Sequence, residues 1–99
     1  MLRCCLLILL LAVPAALRAQ GLQFILRDST TRQPLLGASV GVPGTGVGGT
    51  TDASGRVRLA PAPAPGTRLR VEALGYLPRI IAAPAVGSAP TTLLLAPSA

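Results

Sequence analysis

Residues 44–49, Gly-Thr-Gly-Val-Gly-Gly, spell G-x-G-x-x-G. In a dinucleotide-binding loop such glycines let the backbone approach a pyrophosphate, and the helix that follows aims its free N–H groups at the anion. Here Asp52 follows three residues after Gly49, opening a turn and then a strand pattern instead of a helix. A phosphate loop of the other type ends in Gly-Lys-Ser/Thr, and this chain has Gly49-Thr50-Thr51 and no lysine. No nucleotide is expected. The stretch reads as a hairpin connection, where glycine reaches positive φ at little cost.

The remaining inventory for chemistry is short. There is no histidine, and the two cysteines, Cys4 and Cys5, sit near the N-terminus. The three acids are Asp28, Asp52 and Glu72. Asp28 and Asp52 stand in turn sequences, where a carboxylate commonly accepts backbone N–H groups. Ser29, Ser39 and Ser54 have no base to activate them. Calcium would need more oxygen ligands than these turns offer. The expectation is a non-enzymatic chain with no catalytic, metal or cofactor residues.

The N-terminus reads as an export signal. Met1-Leu2-Arg3 is a basic start, Cys4 to Val13 is an unbroken apolar run, and Leu17-Arg18-Ala19 precedes Gln20. A secretory signal has this order, with an apolar stretch of about 7–15 residues, whereas a spanning helix needs about 20. Cleavage is expected after Ala19, giving a signal peptide at 1–19 and a domain at 20–99. Both cysteines leave with the signal, so the domain holds together without disulfides.

The 99 residues carry a net charge of +6. Without residues 1–19, seven arginines face three acids, a net charge of +4. A positive surface attracts anions, but these arginines are spread along strands and read as solvent-facing. Single-strand nucleic-acid binders need stacking aromatics, and only Phe24 and Tyr76 are present. Nucleic acid is not an expected partner.

Ten prolines and eleven glycines divide the chain into short pieces. In Leu22 to Asp28, Leu22, Phe24 and Leu26 alternate with Gln23 and Arg27, which is the pattern of a half-buried strand. Leu36 to Val42 follows, with Ala38, Val40 and Val42 on one side. Asp52-Ala53-Ser54-Gly55 is a strong turn signal. Arg56 to Leu59, Thr67 to Leu74, Leu77 to Ala82 and Thr91 to Leu95 complete the strand set. The alternating prolines of 60–65 read as a stiff extended connector. Six or seven strands and no helix predict an all-β fold, a small antiparallel β-sandwich with inner faces about 10 Å apart. The expected core is Leu22, Phe24, Leu26, Ala38, Val40, Val42, Val57, Leu59, Leu69, Val71, Ala73, Ile80 and Leu93.

The order of features resembles a known family. Arg27-Asp28, Gln33-Pro34-Leu35, Gly37-Ala38-Ser39-Val40, Gly44-Thr45, Gly49-Thr50-Thr51-Asp52-Ala53-Ser54-Gly55-Arg56, Leu69-Arg70-Val71 and Leu74-Gly75-Tyr76 together resemble the carboxypeptidase regulatory-like domain. That domain is a transthyretin-like β-sandwich, found at the N-terminus of TonB-dependent receptors and in other exported Bacteroidetes-type proteins. The resemblance spans about residues 22–96. Phe24 and Arg32 depart from the family's usual residues, and the 60–65 tract is longer than usual. The turn motif carried by the resemblance is Gly37, Asp52, Gly55, Gly75 and Tyr76. Gly37 is expected to let strand backbones approach, Asp52 to Gly55 to fix a hairpin, and Tyr76 to place a ring at the core's edge.

The resemblance implies an accessory or interaction module in the cell envelope, periplasmic or outer-membrane associated, with no catalysis of its own. Its expected partner is an envelope protein or the remainder of a TonB-dependent receptor. Carbohydrate is a further candidate, because related sandwiches belong to a starch-binding-like group and Tyr76 could stack on a sugar ring.

Overall fold

A computed structural model describes residues 21–87 and 89–98. The expected signal peptide and both cysteines fall outside the described residues. No helix among the described residues is long and apolar enough to cross a membrane.

Seven strands form in chain order: β1 (Leu22–Asp28), β2 (Ser39–Gly41), β3 (Gly48–Thr50), β4 (Arg56–Leu59), β5 (Arg68–Glu72), β6 (Arg79–Ala82) and β7 (Thr91–Leu95). They make a three-stranded sheet, β4-β1-β7, and a four-stranded sheet, β3-β2-β5-β6. Alternate side chains of each sheet point into the shared core. β1 buries Leu22, Phe24, Leu26 and Asp28 while Gln23, Ile25 and Arg27 turn outward. β4 buries Val57 and Leu59, and β5 buries Leu69 and Val71, each between outward-facing charged residues. Fully burying a Leu, Val or Phe side chain stabilises the fold by about 1.5–3 kcal/mol, and Phe24, Leu26, Leu59, Leu69, Leu95, Val40 and Val71 are all fully buried.

The all-β sandwich matches the expectation from sequence, with one difference in pairing. β1 runs antiparallel to β4 but parallel to β7, with Leu26 opposite Leu93. Alternation reports which face a residue takes and says nothing of strand direction. A parallel pair needs a long connection, and here the whole four-stranded sheet lies between the two strands in sequence.

The second sheet is antiparallel throughout. Its first strand is shorter than Leu36 to Val42, because residues 36–37 turn before Ser39 can pair. Gly48–Thr50, read from sequence as part of a connection, pairs with β2 through its backbone, with Ser39 opposite Thr50 and Gly41 opposite Gly48.

Three expected core positions change. Ile80 is 61% exposed. Register decides this: Leu69, which is buried, stands opposite Ile81, so Ile81 turns toward the core and Ile80 turns out beside Arg70. Val42 and Ala73 pack against the core but are only partly buried. Leu35, Ala62, Ala83 and Leu95 join the core. Ala62 lies within the proline tract, so this connector is anchored at one point while it crosses between sheets.

Candidate functional site

The outer face of the four-stranded sheet is built from short and missing side chains. Thr50, Ser39 and Glu72 align across β3, β2 and β5, and Gly48, Gly41 and Arg70 align one step along. Two adjacent glycines leave a bare strip of backbone between the loop at 43–47 and the β5 side chains. A shallow cavity of about 420 Å³ lies over this strip, lined by Ser39, Gly41, Gly48, Thr50, Arg70, Glu72 and residues of that loop. A second cavity of about 390 Å³ is lined by Gly37, Ser39, Glu72, Ala73, Leu74, Tyr76 and Pro78. Ser39 and Glu72 belong to both, so the two form one groove along the sheet.

The groove is polar in its middle and apolar at one end. Arg70 Nε is ion-paired with Glu72 Oε1, both about half exposed, and an exposed pair of this kind adds little stability. At the far end Leu74 is fully exposed. Ser39 pairs with Glu72, so the turn before β2 and the turn after β5 lie at the same end of the sheet. Leu36, in the first turn, and Leu77, just past the second, are also exposed there.

Three ties hold this end. Thr51 is buried, and its hydroxyl accepts from Ala38 N–H at 2.9 Å and donates to Leu35 O at 2.5 Å. Its backbone N–H donates to Ala38 O, and its carbonyl accepts from Gly37 N–H. The second tie joins the sheets: Tyr76 Oη donates to Asp28 Oδ2 at 2.7 Å. Asp28 Oδ1 accepts from the backbone N–H of Thr30 and of Thr31 at 2.7 and 3.1 Å. The third is the chain from Ala96 to Ser98, which pairs with residues 75–77 through Leu77 N–H to Ala96 O and Ser98 N–H to Gly75 O.

The Asp52 turn follows Thr51 directly. Asp52 Oδ1 accepts from Ser54 N–H, Ser54 Oγ and Arg56 N–H, at 2.9, 2.7 and 3.0 Å. Gly55 has a φ of 78°, and a side chain there would put Cβ 2.5 Å from Leu26 O. This turn leads from β3 in one sheet to β4 in the other, so it makes a sheet-to-sheet corner where a hairpin was expected. Gly37 also differs from expectation. Nothing lies within 4 Å of where its Cβ would be, so close strand approach is not its role; a φ of 80° is. Gly75 has a φ of 86° and open space around it. Of the five motif residues, Gly75 and Tyr76 share the turn after β5, Gly37 is bonded to the Thr51 carbonyl, and Asp52 and Gly55 make the corner that follows Thr51.

The electrostatics do not prepare an acid–base site. The Tyr76 hydroxyl, then the amides of Thr31 and Thr30, hold the Asp28 carboxyl below its ordinary value. The Ser54 hydroxyl, then the Arg56 amide, do the same for Asp52. The bond to Asp28 raises the Tyr76 phenol. All three move away from neutrality, whereas an efficient general acid or base has a pKa near the working pH. Among the described residues no group of three or more His, Cys, Asp or Glu is placed to hold a metal. In the G-x-G-x-x-G stretch, Thr45 N–H donates to Val42 O, Val47 N–H donates to Thr45 Oγ1 and Val42 N–H donates to Val47 O. Two of its amides, those of Thr45 and Val47, are bonded inside the loop, and a strand follows.

The CarboxypepD_reg-like domain family matches residues 25–96. The chain belongs to this family. The match covers every strand from Ile25 of β1 through β7 and all five motif residues. No curated protein matches the sequence. Two similar solved structures are chains from mutants of a type II Cohesin-X-Dockerin complex of Acetivibrio cellulolyticus. In the C-terminal interface mutant the identity is 20%, covering 78% of this chain and 51% of that one, with a TM-score of 0.54. In the N-terminal interface mutant it is 22%, covering 75% and 52%, with a TM-score of 0.51. At this identity the likeness shows a shared fold, and the CarboxypepD_reg-like chain spans about half the length of those chains.

Sequence reasoning assigned no role to Thr51, although it lies in the family-like stretch 49–56. A single threonine carries no periodic signal of burial. The outward Arg70 and Glu72 were legible, because alternation in 68–72 puts both on the face opposite Leu69 and Val71.

Proposed function

We propose that this CarboxypepD_reg-like domain is a non-enzymatic, exported accessory module that binds a protein partner along the groove of the four-stranded sheet. The groove itself carries the reading. It joins a bare glycine strip to an end where Leu74, Leu36 and Leu77 are exposed, and exposed apolar clusters on small domains mark interaction sites. Export rests on the apolar run Cys4 to Val13 and its basic start, and a place at the front of a TonB-dependent receptor is one form the module can take. For a sugar-binding role the Tyr76 ring is the aromatic left to stack, since Phe24 is buried.

A photo-crosslinking residue at Leu74, with Thr92 on the opposite sheet as control, tests the reading in the native cell. A discrete adduct from position 74, weakened by Gly41→Arg in the groove and missing from position 92, supports it. Equal labelling from both positions, or none, overturns it. The intact mass of the native product after fractionation tests the location: a soluble species beginning at Gln20 or a larger membrane-bound chain agrees with export, and a cytoplasmic species still carrying Met1 does not.

A further inference from the structure

The outer face of the three-stranded sheet is distinct from the groove in shape and charge. Gln23, Ile25 and Arg27 of β1 point outward, as do Arg56 and Arg58 of β4. Gln23 stands opposite Arg58 and Ile25 opposite Arg56. Same-face neighbours along a strand, and diagonal neighbours across a pair, lie about 7 Å apart. Arg58, Arg56 and Arg27 therefore form a row, with steps of about that length. The Arg32 backbone lies at the end of this row, where its carbonyl accepts from Arg27 Nη1 at 2.9 Å.

Two of the three acids are placed away from this row. Asp28 turns inward to Tyr76. Glu72 lies on the other sheet, paired with Arg70. Asp52 is the near one: it sits in the turn before β4, beside Arg56, with its carboxylate engaged by Ser54 and the Arg56 amide. The strand positions of this face thus hold three cations and no anion.

We infer that the outer face of β4-β1-β7 docks the domain on an anionic phospholipid surface. Guanidinium groups bind phosphate through two parallel hydrogen bonds, and the row places three of them on one face of the sheet. Both cavities described above lie on the other sheet. Specific protein interfaces centre on buried apolar or aromatic anchors. This face has none, with only Ile25 and Leu94 half-buried among Arg, Gln and Thr. The inference is independent of the groove: lipid contact through one sheet leaves the other free for a partner.

The test is sedimentation of the full chain with phosphatidylcholine vesicles with and without phosphatidylglycerol. The neutral vesicles report any binding through the apolar N-terminal residues. Two double variants lose the same charge from different faces, Arg56→Gln with Arg58→Gln and Arg68→Gln with Arg70→Gln. The expected result is stronger binding to the phosphatidylglycerol vesicles, falling with salt and lowered about thirtyfold by the first pair. The second pair lowers it much less. Equal losses from both pairs, or no preference for phosphatidylglycerol, overturn the inference. Failure of the lipid test together with saturable binding of a purified acidic protein to the same arginines assigns the face to protein. Circular dichroism checks that each variant folds, and Arg27→Gln with Arg58→Gln replaces the first pair if that pair does not.

Discussion

Tyr76 and Asp28, 48 residues apart in sequence, are joined by a 2.7 Å hydrogen bond between phenol and carboxylate. Asp28 ends β1 in one sheet, and Tyr76 follows the turn after β5 in the other. The same carboxylate accepts two backbone N–H groups from its own turn, so it fixes the β1 exit and the groove end at once. This bond predicts a pH dependence on both sides of neutrality. The folded Asp28 carboxyl lies below its ordinary 3.8, so the unfolded chain takes up the proton first as pH falls. Its contribution is complete above about pH 5 and is lost as pH drops through the lowered folded value. Asp52 acts in the same direction. The Tyr76 phenol is raised above 10.0, so its contribution is complete below that pH and is lost as pH rises through the raised value. Urea midpoints against pH should fall on both flanks for the unaltered chain. Tyr76→Phe should lower the midpoint at neutrality, remove the alkaline loss due to this group and shrink the acid one. Superimposable profiles for the two proteins would count against the tie.

Thr51 gives a prediction about a buried polar group. Its hydroxyl is placed between Ala38 N–H and Leu35 O. Thr51→Val keeps the shape and removes both bonds, leaving a buried donor and a buried acceptor unpaired. The expected loss is about 1–3 kcal/mol, read from chemical denaturation. Thr50→Val, at an exposed neighbouring position, should change stability by less than about 0.5 kcal/mol. Equal effects would show that the Thr51 hydroxyl is not the cause.

Ile80 and Ile81 test the register of β6. Ile81 stands opposite the buried Leu69 and packs on the core, while Ile80 stands opposite the exposed Arg70. Ile81→Asp should therefore destabilise the domain by about 2 kcal/mol or more, and Ile80→Asp by less than about 0.5 kcal/mol. Thermal melts of the two variants check it. The reverse order would restore the assignment of Ile80 to the core.

The same pair shows what the sequence could and could not convey. The strands of 22–28, 56–59 and 68–72 alternate apolar with polar residues, so their inward faces were legible. In 77–82 both isoleucines are apolar and adjacent, so alternation offers no choice and only pairing with β5 decides. β3 was invisible because Gly48 and Gly49 carry no side-chain pattern; its pairing is entirely backbone. The groove was hidden for the same reason, being formed where side chains are missing. The turn residues were legible as turn residues. Which elements they connect was not, since Asp52 to Gly55 reads alike whether the chain returns to the same sheet or crosses to the other.

Gly55, Gly37 and Gly75 share a positive φ but differ in surroundings, and this separates two causes of glycine preference. At all three an L side chain meets backbone strain, which costs about 1–2 kcal/mol in the left-handed region. At Gly37 and Gly75 that is the whole effect, because nothing lies within 4 Å of the added Cβ. At Gly55 the Cβ would also stand 2.5 Å from Leu26 O and 3.1 Å from Pro34 Cβ. Leu26 N–H donates to Gly55 O at 2.8 Å, so the corner cannot move off without losing a bond to the central strand. Gly55→Ala should then cost about 3 kcal/mol or more, well above Gly37→Ala and Gly75→Ala at about 1 kcal/mol each. Asn at Gly37 or Gly75 should recover part of the loss, since Asn tolerates this conformation, and Asn at Gly55 should not. Denaturation midpoints of the six variants decide between the causes. If Gly55→Asn were restored as readily as Gly37→Asn, strain alone would govern the corner and the contact with Leu26 would have no part in it.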